Sequence, residues 1–182
     1  MHGGRNMNVL FGTSVASMLA AASLSMAPMT VGPAAAQAAK TEAAPPAGAS
    51  RMVDRGRYLA KIAGCNDCHT PGYMEKAGKV PEKEWLVGDS FGWRGPWGTT
   101  YPVNLRLYMQ TLTEEQWVKK ASTLEVRPPM PWYALHDMTR DDLRALYRFI
   151  RHLGPAGAPA PAWVPPDKEP KPPYALFPMP PK

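Results

Sequence analysis

The chain has 182 residues, with 21 Lys and Arg against 15 Asp and Glu and a net charge of +6. So mild and dispersed an excess, with no basic run that carries interleaved aromatics, excludes a nucleic-acid-binding role and suits docking onto an acidic protein surface. What stands out is the scarcity of cysteine, two residues, and the abundance of proline, 22.

From the N-terminus, Arg5 is the only charged residue before Lys40, and "VLFGTSVASMLAAASLSMAPMTV" lies between them. A basic start, an apolar stretch and the small residues Ala36 and Ala38 around Gln37 predict a secretory signal peptide over residues 1–38. The run is rich in Ala and Ser and is broken at Pro28, so it is a poorer match to an uncleaved anchor, and no later segment is apolar enough to span a bilayer. The mature protein is expected to be exported to the periplasm as a single soluble domain. Residues 39–50, containing "TEAAPPAGAS", read as an Ala/Pro-rich linker.

The first predicted helix runs from Val53 to about Ala63, with Tyr58, Leu59, Ile62 and Ala63 at helical spacing and Gly64 as its stop. Gly56 in its interior costs roughly 1 kcal/mol relative to alanine and so predicts a close helix crossing. The next stretch, "AGCNDCHTPG", holds both cysteines. Cys65, Cys68 and His69 stand at i, i+3 and i+4, nearly on one side of a helical turn. Two thiols so placed match the two vinyl groups of a haem, while the neighbouring imidazole reaches the iron; this is the c-type haem attachment sequence. A structural zinc site lacks two further cysteines and would need His136 and His152 at spacings no finger uses. A redox dithiol lacks its βαβ surroundings. A Cys65–Cys68 disulfide would close too small a loop to stabilise much. One covalent haem c is therefore the expected cofactor.

The long loops that follow, such as "GDSFGWRGPWGTTYPVN", carry several of the six tryptophans and are expected to line a binding site rather than to be disordered. Thr113 and Gln116 form a capping box that predicts a helix in "LTEEQWVKKA", with Glu114 and Glu115 at its positive end. Met130 follows in "EVRPPMPWYALHDM", stiffened by Pro128, Pro129 and Pro131, and is the expected sixth iron ligand. Met109, Met138 and His136 are its rivals. Thr139 and Asp142 begin the last helix, whose stripe of Leu143, Leu146, Tyr147, Ile150 and Leu153 ends at Gly154 and Pro155. Residues 155–182 hold half of the prolines and predict an extended tail rather than helix or sheet. No stretch alternates like a strand, so the fold class read from the sequence is all-α, with three to four short helices and long loops over residues 51–154.

"GRYLAKIAGCNDCHT" and "PPMPWYALHDMTRDDLRALYRFIRHLGP" together resemble a class I cytochrome c: its N-terminal helix and haem site, then its axial-methionine loop and C-terminal helix. Within that family, "RGPWGTTYPVNL" resembles a motif of single-haem periplasmic cytochromes related to the haem domains of alcohol- and aldehyde-dehydrogenase cytochrome subunits. Those relatives continue through an acidic, Gly-containing loop where this chain passes more directly to "RLYMQTLTEEQW". The resemblance implies that the first and last helices cross near the haem and that His69 and Met130 both ligate the iron. It also implies that the His69 Nδ1–H donates to a backbone carbonyl, for which Pro81 occupies the family's place. Arg94, Trp97, Tyr101 and Asn104 are the candidate donors to haem propionates. The function implied is one-electron transfer, not enzymatic catalysis, from a periplasmic dehydrogenase (a quinoprotein or a molybdenum hydroxylase) to another cytochrome or a terminal oxidase. The competing readings are a haem enzyme or a gas or peroxide sensor, with an open or labile sixth position, and an electron-relay subunit held permanently in a larger dehydrogenase complex.

Overall fold

A computed structural model describes residues 47–178. The predicted signal peptide, the first part of the linker and the last four residues of the tail lie outside the described residues. In chain order the elements are α1 (Ala47–Ile62), α2 (Cys65–His69), β1 (Gly92–Gly95), β2 (Gly98–Thr100), α3 (Leu105–Tyr108), α4 (Glu114–Ala121), α5 (Tyr133–His136), α6 (Arg140–Leu153) and β3 (Tyr174–Leu176). The fold is mainly helical, and among the described residues no helix is long and apolar enough to cross a membrane.

The core forms where α1 crosses α6. Leu59 and Ala60 of α1 meet Leu143, Ala145, Leu146, Phe149 and Ile150 of α6, all buried. Gly56 is what permits this approach: a Cβ there would lie 2.0 Å from the Ala145 carbonyl oxygen and 2.6 Å from Phe149 Cβ. The crossing is fastened at its edges by Arg55 Nε donating to Asp142 Oδ1 at 2.9 Å, and by the Arg57 guanidinium over the Phe149 ring. On the other flank of α6, α4 is held by the Trp117 indole N–H donating to the Leu143 carbonyl at 2.9 Å, and by Arg148 paired with Glu114. The Thr113 and Thr139 caps form as the sequence indicates, the first as a full capping box.

The segment between α2 and β1 contributes Tyr73, Val80, Trp85 and Leu86 to the same core. Trp85 stands edge-on to both Tyr73 and Phe149, and its N–H donates to the Val80 carbonyl. Arg106, buried, donates to the carbonyls of Lys83 (2.7 Å), Gly154 (2.6 Å) and Leu153. A cation therefore satisfies the orphan carbonyls at the C-terminal end of α6, where the helix dipole also favours it.

Three sequence expectations are corrected. The fold is not all-α, because β1 pairs antiparallel with β2 and parallel with β3 in the order β2–β1–β3. The strands have three or four residues, too short for alternation to show, and "GWRG" and "GTT" carry little β-forming character. The tail is extended as expected but does join a sheet, since Tyr174–Leu176 lies in one of its few proline-free stretches. The linker also ends earlier than read: Ala47–Ser50 belong to α1.

Gly56→Ala is expected to lower stability by at least ~2 kcal/mol, because a methyl group at 2.0 Å from a backbone oxygen forces the helices apart. Chemical denaturation against the parent chain measures this. The hydrogen bond from Arg55 holds the Asp142 carboxyl below the usual carboxylate range. With its folded value below the unfolded one, the pair stabilises the fold above about pH 4 and loses that effect as pH falls through the depressed value. Asp142→Asn should flatten the acid limb of a stability-versus-pH curve and leave the neutral limb's shape unchanged.

Candidate haem site

Gly64, in the left-handed conformation at φ 71°, ends α1 and turns the chain directly into α2, the single turn that carries "CNDCH". Both thiols are free. Burial pushes the Cys65 thiol up to about 11 and raises that of Cys68 as well. Protonated thiols of this kind are unlike the activated thiolate of a redox dithiol. Among the described residues no three His, Cys, Asp or Glu side chains gather into a cage for a bare metal ion. The zinc, dithiol and disulfide readings of the motif thus find no support in its surroundings.

His69 is buried, and its Nδ1 lies 2.7 Å from the Val103 carbonyl oxygen. A carbonyl only accepts, so the ring proton sits on Nδ1 and the lone pair on Nε2. Burial holds the imidazole below its ordinary value, which keeps it in the neutral form that ligates metals. The acceptor is Val103 rather than a carbonyl near Pro81. Pro81 instead precedes a short 3₁₀ turn and accepts from the Glu84 amide.

The seat of His69 is built almost entirely from backbone. The His69 carbonyl accepts from the Gly88 amide at 2.9 Å, and the Pro102 carbonyl accepts from the Asp89 amide at 3.1 Å. Segments 86–89 and 102–104 thus clasp the histidine from two sides. Gly88, at φ 77°, allows the contact between them: a Cβ there would stand 2.7 Å from the Asn104 amide nitrogen and 2.9 Å from the Pro102 oxygen. Leu86, fully buried, is held at φ 60°, a left-handed conformation that a bulky residue adopts at a cost. Its amide donates to Thr70 Oγ1 at 2.8 Å and its carbonyl accepts from the Arg106 amide. Thr70 in turn donates to Asn66 Oδ1, while the Asn66 Nδ2 is buried with no partner among the described residues.

Three of the four candidate propionate donors have partners within the protein. Asn104 caps α3 by accepting from the Leu107 amide, and its Nδ2 donates to the carbonyls of Ala156 and Ala158. Arg94 donates to the Lys168 carbonyl at 2.7 Å and pairs with Glu169 at 3.3 Å. Trp97 donates to the Trp93 carbonyl, and Tyr101 is buried. Met130 is half-buried and packed against the core, and its carbonyl accepts from the Trp132 amide. Of its rivals, Met109 is fully buried in the core, Met138 is half-buried against it, and exposed His136 donates from Nε2 to the Leu124 carbonyl.

Sequence reasoning missed Val103, Gly88 and Leu86. Val103 and Leu86 act through main-chain atoms and Gly88 through a missing one, so no side-chain motif announces them; the Pro and Asn flanking Val103 were the available sign.

The donor set fits a covalently held haem: two neutral thiols and an imidazole with a free Nε2 on one helical turn. The chain is 29% identical over 136 residues to the fructose dehydrogenase cytochrome subunit of Gluconobacter japonicus. The match covers 69% of this chain and 26% of that protein, so the chain spans about a quarter of its relative's length. No family model and no solved structure matches the chain.

Gly88→Ala should displace residues 102–104 and lengthen the His69–Val103 hydrogen bond. Nitrogen-15 NMR of labelled histidine is expected to show faster exchange of the Nδ1–H proton with water in the variant than in the parent.

Proposed function

We propose that the protein is a single-haem c-type cytochrome of the class I type that carries one electron at a time and is not itself a catalyst. The observation that carries this reading is the His69 ring, whose Nδ1–H is committed to the Val103 carbonyl and whose Nε2 is left as the donor atom on the same helical turn as two free thiols. Cys65 and Cys68 hold the haem through thioethers and His69 ligates its iron. When bound, the haem supplies an iron that alternates between the ferric and ferrous states. Met130 would supply a second ligand to the iron, a soft thioether that favours the ferrous state and raises the potential. The hydrogen bond to Val103 fixes the His69 ring and makes it a stronger donor. Because both ligands stay in place, the chain needs no substrate pocket, only an apolar, water-poor surround and a partner that docks nearby.

The relative's name, a dehydrogenase cytochrome subunit, supports a dehydrogenase as the electron donor. The acceptor is another cytochrome or a terminal oxidase. The N-terminal pattern supports export to the periplasm with removal of residues 1–38.

A pyridine haemochrome of the purified protein is expected to show thioether-linked haem that resists acid–acetone extraction, with one thioether lost in Cys65→Ser or in Cys68→Ser. The native ferric spectrum should carry a sulfur–iron charge-transfer band that Met130→Ala abolishes, and the parent ferrous protein should not bind CO. A high-spin parent that binds CO would sink the carrier reading and put the haem enzyme or sensor in its place.

A further inference from the structure

Residues 122–131, which carry Met130, contain no helix or strand and border an open hollow at Glu125, Val126 and Arg127. Within this segment the Leu124 carbonyl is tied to His136. Leu124 and Met130 also pack against the core, the Met130 and Pro131 carbonyls accept from the Trp132 and Ala134 amides, and a further tether comes from the tail. The Arg127 guanidinium lies 4.1 Å from the centre of the Trp163 ring, close stacking geometry for a cation on an indole. Trp163 is itself fixed: its N–H donates to the Trp97 carbonyl at 2.9 Å, and the adjoining Val164 exchanges two backbone hydrogen bonds with Thr99, at 2.7 and 3.1 Å. Between Arg127 and Met130 lie only Pro128 and Pro129, with Pro131 beyond. Their rings lock φ, so a constraint at Arg127 passes to Met130 with little slack.

We propose that Trp163 is a positioning residue for Met130: the tail, seated on β2, holds the methionine loop through the Arg127 stack and so sets how firmly the sixth iron position is filled. This rests on Met130 being the axial ligand. The tail then serves the metal site from within the same chain, whatever partner the protein meets.

The test uses the haem-loaded full chain with Trp163→Ala and, from the loop side, Arg127→Gln, an exposed position that leaves the tail's backbone pairing intact. Hydrogen–deuterium exchange of the 123–132 peptide is expected to rise roughly three- to tenfold in either variant, the loss of one stacked cation–indole pair. The sulfur–iron band should weaken and the ferrous protein should begin to take up CO, with Trp163→Phe recovering part of both. A parent that shows the band, with both variants unchanged in band, CO uptake and exchange, overturns the role of Trp163 alone. A parent without the band refutes Met130 ligation first, and the role of Trp163 falls with it.

Discussion

Everything in this fold hangs on the missing side chain at Gly56. It lets α1 lie backbone-to-backbone against α6, and the Arg55–Asp142 bond across that crossing joins residues 87 positions apart. Closing so long a loop is entropically costly, and the buried face of α6 offsets the cost by meeting α1, α4 and the Trp85 segment at once. Because Gly64 passes the chain from α1 straight into α2, the crossing also fixes where Cys65, Cys68 and His69 stand.

The second constraint is backbone crowding around His69. Two irregular segments approach within van der Waals limits at Gly88 and bring the Val103 carbonyl to the ring, and a strained Leu86 is kept in place by Thr70 on one side and Arg106 on the other. Strain of this kind persists only where surrounding contacts over-determine it. Here they do: Arg106 engages carbonyls of residues 83, 153 and 154 and so locks the strained segment to the end of α6. The arrangement holds the imidazole with its Nδ1–H on the Val103 carbonyl.

What could be read in the sequence was whatever its side chains announce. Thr113 with Gln116, Thr139 ahead of Asp142, the apolar stripe of α6 and the stop at Gly154 are local signals with local causes, and each was legible. So were the spacing of Cys65, Cys68 and His69 and the steric meaning of Gly56. What escaped depends on partners remote in sequence. The strands are too short to carry a period, and the Val103 carbonyl has no side-chain signature. Arg94 and Asn104 read in the sequence as candidate donors to haem propionates, but the partners they have here, the Lys168, Ala156 and Ala158 carbonyls, lie in a proline-rich tail that reads as having no fixed position.

The tail's pairing has one more consequence. β1 is the central strand, flanked by β2 on one side and β3 on the other, and Thr99 of β2 has both its amide and its carbonyl taken by Val164. Unpaired strand edges are templates on which other chains add themselves, and proteins ordinarily blunt them with charge, bulges or cover. This one supplies its own cover: a segment whose prolines prevent it from growing into a longer strand fills the open side of β1 and stops there. The same prolines that make the tail look structureless in the sequence keep its strand to three residues, so the edge it presents in turn is a very short one.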